Sequence, residues 1–173
     1  MPRFALHTEV PVERSRAEIE GLLIKYGASE FHSGWMHNAA QVGFRIKDLY
    51  IRFVLPIPPL GDQKYKTKIV RRAHGRTEKK TLTEHEAFNA REQEVKSRWR
   101  ALSLVVKAKL EAVECGISTL ENEFLAFIVL PGVDFTIGDW MTSNAMPMIR
   151  GGQMPLQLSA PRVVESNDEV PTR

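Results

Sequence analysis

Residues 83–115 constrain the fold more than any other stretch, because a helix of that length with one apolar stripe must be covered by other elements along most of its course. Turning 100° per residue from Trp99, the side chains of Phe88, Val95, Trp99, Leu102, Val106, Leu110 and Val113 fall within a wedge of about 80°. Thr83 followed by Glu86 supplies a capping box at the entrance, and Gly116 after Cys115 supplies the stop. Lys96, Arg100 and Lys107 line one edge of the stripe, and Arg91, Arg98 and Lys109 line the other. Long basic side chains can lay their aliphatic stems over the border of a core while the charge stays in water, so the two rows read as the sealed edges of a core-facing surface. Leu104 and Val105 lie off the wedge, a sign either of burial on a second side or of two protomers pairing along the helix.

The natural cover for that stripe is a β-hairpin at about 40–55. Ala40, Val42, Phe44 and Ile46 alternate with more polar residues, and Leu49, Ile51, Phe53 and Leu55 do the same. With Lys47 and Asp48 as a two-residue turn, Ile46 faces Leu49, Phe44 faces Ile51, Val42 faces Phe53 and Ala40 faces Leu55, which puts all eight apolar residues on one face. Proline cannot donate to a ladder, so Pro56, Pro58 and Pro59 end the second strand. Ahead of the hairpin, Arg3–Thr8 can form a short strand. Ser15 with Glu18 forms a second capping box, opening a helix at about 15–26 whose core face is Ile19, Leu22, Leu23 and Tyr26 and whose stop is Gly27. Residues 28–38 have no sustained period and read as a strand or loop. Beyond the long helix, Ser118 with Glu121 opens a shorter helix at about 118–130, ended by Pro131 and Gly132, and Phe135, Ile137 and Trp140 suggest one more packed segment. The expected architecture is α+β: a small antiparallel sheet covered by the N-terminal helix and the long helix. Residues 1–141 make one domain, and 142–173, without periodicity, are expected to form a flexible tail.

With 43% hydrophobic and 26% charged residues, the composition is that of an ordinary globular protein. No apolar run approaches the roughly 20 residues of a membrane span, and the first residues lack the features of a signal peptide, so the expected compartment is the cytoplasm and no membrane partner is expected. The single Cys115 rules out an internal disulfide and reads as a small buried residue.

The formal charge is only +3, but it is concentrated. Between residues 64 and 80 lie Lys64, Lys66, Lys68, Arg71, Arg72, Arg76, Lys79 and Lys80 against a single Glu78. Lys64, Lys66 and Lys68 alternate with Tyr65, Thr67 and Ile69, which allows a short edge strand before Arg71, and Gly75 marks a turn. A Gly-containing basic loop of this kind can follow a phosphate backbone without reading sequence. On the outer face of the hairpin, Arg45, Tyr50 and Arg52 fall together, cations for phosphates with a ring that can stack on a base. Both features also have a plain reading, as a solvated linker and the wet face of a sheet.

Catalysis finds little in the sequence. The five His residues do not show HxxxH or HExxH spacing, and GxxxxGK[ST], GxGxxG and GxSxG are absent. Glu30, His32 and His37 form the only cluster with metal-type side chains. No catalytic residue, metal or cofactor is expected.

The runs VERSRAEIEGLLIKYGA (Val12 to Ala28), IRFVLPIP (Ile51 to Pro58) and RWRALSLVVKAKLEAVECGISTLENEFLAFIVLP (Arg98 to Pro131) resemble a family of small uncharacterised proteins of tailed phages and prophages. The resemblance covers most of residues 8–141 and implies a genomic setting, with no catalytic residues to carry over. The order of a helix, a β-meander and a long helix, with KYGASEFHSGW (Lys25 to Trp35) as an aromatic turn, is also similar in topology to Rad52-like single-strand annealing proteins. The expected function is therefore a phage accessory protein that binds nucleic acid, single-stranded DNA first among them, without sequence preference. The alternatives are a factor that inhibits or redirects a host protein, and a metal-dependent nuclease built on Glu30, His32 and His37; a homo-oligomer is compatible with each.

Overall fold

The computed structural model describes residues 5–59, 61–71 and 77–152. The chain divides into two compact units, Met1–Asp139 and Trp140–Arg173. The first is α+β: helix α1 (Val12–Lys25), strands β1 (Ala28–Met36), β2 (Ala39–Ile46) and β3 (Leu49–Pro56), a 3-10 turn at Gln63–Tyr65, strands β4 (Thr67–Arg71) and β5 (Thr77–Thr81), the long helix α2 (Glu84–Glu114), and the short helix α3 (Leu120–Phe124).

β1, β2 and β3 form an antiparallel meander. The β2–β3 register is the one the alternation dictates, with Ile46 opposite Leu49, Phe44 opposite Ile51, Val42 opposite Phe53 and Ala40 opposite Leu55. Lys47 takes φ 54° in the turn, the left-handed conformation that a tight hairpin turn requires. Residues 28–36 are a full strand, not a loop. Phe31 pairs with Phe44 and Trp35 with Ala40 on the inner face. The open edge of β3 is covered by the chain after α3, where the Val129 amide donates to the Tyr50 carbonyl at 2.9 Å and Ile51 bridges Ile128.

α2 carries the expected capping box, with the Glu86 amide donating to Thr83 Oγ1 and the Thr83 amide to Glu86 Oε2. It closes with Gly116 at φ 70°, whose amide reaches the Val113 carbonyl while the Ile117 amide reaches that of Ala112, a Schellman closure. Val95, Trp99, Leu102, Val106 and Leu110 are buried with Ile19 and Leu23 of α1 and the inner face of the sheet. The basic rows tie the helix to its neighbours: Arg100 pairs with Glu18 of α1, Arg98 donates to the Pro56 carbonyl, and Lys109 pairs with Glu123 at 3.2 Å.

Several sequence expectations change. Ala5–His7 form a turn, closed by the Thr8 amide on the Ala5 carbonyl, where a strand was expected over Arg3–Thr8. α1 begins a turn earlier than Ser15, after Pro11, because Val12 joins the apolar face; Ser15 is fully buried inside the helix, a small residue at a packing position. Thr119, not Ser118, caps α3, accepting from the Asn122 amide. That helix ends at Phe124 and a 3-10 turn follows, so 128–130 are free to cover β3. Phe88 keeps its place on the stripe but is 46% exposed, because the buried part of the stripe begins at Val95. Cys115, expected inside, is exposed at the helix end. Finally, where a packed segment and the start of a flexible tail were expected, Ile137–Arg150 form helix α4. Its signal was a capping box written with aspartate: the Asp139 amide donates to Thr136 Oγ1 at 3.1 Å, and the Thr136 amide donates to Asp139 Oδ2 at 2.9 Å. Residues 153–173 of the expected tail lie outside the described residues.

Candidate nucleic-acid interface

The basic segment expected as a loop is a paired ribbon. Asp62 starts it by accepting the Lys64 amide at 3.1 Å, which winds Gln63–Tyr65 into one tight turn. Tyr65 is buried there, and its hydroxyl donates to the Glu94 carboxylate of α2 at 2.7 Å. Lys64 Nζ lies 2.9 Å and an Arg98 nitrogen 2.5 Å from the same carboxylate. Burial pushes the Glu94 pKa up, but the hydrogen bonds from Tyr65, Lys64 and Arg98 outweigh it and hold the group at about 2. Burial, and then the bond to Glu94, raises the Tyr65 hydroxyl. This clamp fixes the root of the ribbon to the long helix, and the Leu82 amide, donating to the Lys66 carbonyl at 2.9 Å, continues the ladder below the strands.

Removing the clamp is expected to loosen the ribbon root. Glu94→Gln should cost about 1.5–3 kcal/mol at neutral pH, the range for hydrogen bonds to charged groups. A carboxylate with a depressed pKa stabilises the fold only while ionised, so its contribution is complete above about pH 4.5 and is lost as the pH falls toward 2. Urea denaturation across that window should show the native chain losing more stability than the variant. Parallel losses would contradict the role given to Glu94.

In the ribbon itself Thr67 pairs with Thr81, Lys68 with Lys80, Ile69 with Lys79 and Val70 with Glu78. Residues opposite each other share a face, so Lys68 and Lys80 stand side by side on one face, while Lys79 and Ile69 lie on the other. Every residue of β5 is exposed, and Ile69 is 72% exposed. Lys80 is answered by Glu86 at 2.8 Å. That bond, with the Thr83 amide, holds the Glu86 carboxyl at about 2. Among the described residues, Lys66, Lys68 and Lys79 take part in no ion pair. Arg71 ends β4; Arg72 and Arg76, with Gly75, lie outside the described residues.

On the outer face of the meander Arg45, Tyr50 and Arg52 stand together as the register requires, but their partners are inside the molecule. Arg45 Nε is 2.9 Å from Glu30 Oε1, and its guanidinium lies 5.5 Å from the Tyr50 ring centre. The Tyr50 hydroxyl lies 2.7 Å from His32 Nε2, with the two rings stacked at 5.7 Å. Gly43 is the floor of that pair: a Cβ there would collide with both the imidazole and the phenol oxygen. Burial raises the Tyr50 pKa. Arg52 forms an ion pair with Asp134 and donates to its carbonyl at 3.0 Å, and its side chain is only 11% exposed. The face is therefore a self-neutralised lattice in which Glu30, His32 and Asp134 were not anticipated as members. Glu30 and Asp134 are distant in sequence from the arginines they neutralise, and no local spacing announces them.

The cluster of Glu30, His32 and His37 does not converge. Glu30 and His32 are engaged on the sheet face, while His37 sits in the β1–β2 turn. Among the described residues no three His, Cys, Asp or Glu side chains are placed to hold a metal, and no helix is long and apolar enough to cross a membrane. Compared with known proteins, the chain matches no family model, no curated protein and no solved structure.

Proposed function

We propose that this protein is a non-enzymatic accessory protein of a phage or prophage that binds nucleic acid, single-stranded DNA in particular, without sequence preference, and that the β4–β5 ribbon is its principal contact surface. The observation that carries this reading is the contrast between the two basic surfaces. Arg45 and Arg52 are neutralised by Glu30 and Asp134, whereas Lys66, Lys68 and Lys79 stand without ion pairs among the described residues on a ribbon exposed on both faces. A narrow two-stranded ribbon can lie along a phosphate backbone, and each phosphate it neutralises releases condensed counterions.

The test is fluorescence anisotropy with labelled single- and double-stranded oligonucleotides over a salt series. Binding at about 50 mM salt that weakens steeply as salt rises is expected; no binding at that salt sinks the reading. A second reading, a ribbon that docks on an acidic host protein and inhibits or redirects it, draws on Ile69, an aliphatic side chain held out among cations. Pull-down from nuclease-treated host lysate separates the two. A partner kept after nuclease favours the protein target, and one lost with the nucleic acid favours the first reading.

A further inference from the structure

We infer that the cleft at the root of the ribbon is a pocket for one unpaired nucleobase, with Phe88 as the ring on which it stacks; this rests on the reading of the ribbon as a nucleic-acid surface. The cleft, of about 790 Å³, lies between the first turns of α2 and the segment that joins them to β5, and is lined by Lys66, Leu82, Thr83, Glu84, His85 and Phe88 among others. That volume falls in the range of small-ligand sites.

Three features set the occupant. Phe88 belongs to the stripe whose other members from Val95 to Leu110 are buried, yet it is 46% exposed because the stripe runs past the end of the core, and its ring is spent on the cleft. His85 lies three residues before it, on the same helical face. An aromatic ring in an open cleft beside a lysine is the arrangement by which a base stacks while cations hold its backbone. The charge inside the cleft then selects the base over the phosphate. Glu84 lines it, and the capping box closes on the Thr83 and Glu86 amides that would otherwise attract an anion. Lys66 stands at the cleft, and Lys68 follows along the ribbon, where phosphates of the same strand would run. A base stacked inside a duplex cannot enter, so the pocket confers preference for single strands.

The experiment compares the native protein with Phe88→Ala and Phe88→Tyr against three labelled probes: an oligothymidylate, an abasic strand of equal length, and a duplex. The native protein should bind the oligothymidylate about tenfold more tightly than the abasic strand. Phe88→Ala should erase that difference while leaving abasic and duplex affinity and the salt slope unchanged, since the ring carries no charge; Phe88→Tyr should retain it. Circular dichroism confirms that each variant is folded. Equal affinity of the native protein for the base-bearing and abasic strands, or an unaltered preference in Phe88→Ala, overturns the pocket and leaves the ribbon standing. No binding of any probe at about 50 mM salt overturns the ribbon and the pocket with it.

Discussion

Replacing Trp99 with alanine is expected to remove about 3–5 kcal/mol of folding stability, the cost of deleting a large aromatic from a packed core. Trp99 is 1% exposed. Its ring meets Trp35 of β1 edge-on at 6.3 Å and lies 5.9 Å from the Arg16 guanidinium of α1. Arg16 in turn donates to Ser33 of β1 at 2.6 Å, so the indole sits where α1, β1 and α2 come together. Its Nε1 has no hydrogen-bond partner; truncation therefore breaks no hydrogen bond, and the loss is one of packing, apolar burial and the Arg16 contact. For a chain of this size the melting temperature should drop on the order of 10 °C. An unchanged Tm would refute the orientation of the long helix and, with it, the placement of the ribbon root.

The largest expected effect on binding comes from the ribbon. Changing Lys66, Lys68 and Lys79 together to glutamine removes three cations that have no ion-pair partner among the described residues. If each meets one phosphate, affinity for a single strand at about 50 mM salt should fall on the order of 10²-fold, from a salt exponent of about 0.7 per contact. Stability should stay within about 0.5 kcal/mol, because these are exposed side chains, and relief of the Lys68–Lys80 juxtaposition offsets part of any loss. Arg45→Gln, on the sheet face, should change affinity far less, since Glu30 already answers that charge. A sheet-face variant as damaging as the ribbon variant would reverse the assignment of the two surfaces.

What was legible in the sequence divides by range. The β2–β3 register could be read because a slip by one residue would turn the four apolar side chains of one strand to water, and that demand outweighed a turn without Gly or Asn. The capping box at Thr83 was equally plain. Ser15 misled because a serine before a helical face is either a cap or a small core residue, and only the packing of Val12 decides between them. α4 is hard to read from the sequence because Thr136 and Asp139 form their box with aspartate, and because Gly138 and Pro147 break the pattern. For the candidate site, the cations were evident but their neutralisation was not. Arg52 and Asp134, or Lys64 and Glu94, meet only through the tertiary fold. Phe88 fitted the stripe perfectly; periodicity cannot tell where along a helix the core ends.

Hydrogen–deuterium exchange of the protein with and without a saturating oligothymidylate tests the central claim most directly, because it locates the contact without altering a residue. Slowed exchange of the amides in Thr67–Arg71 and Thr77–Thr81, with those of Arg45–Arg52 unchanged, is the expected result. Protection centred on Arg45–Arg52, with the ribbon exchanging as it does alone, would contradict it.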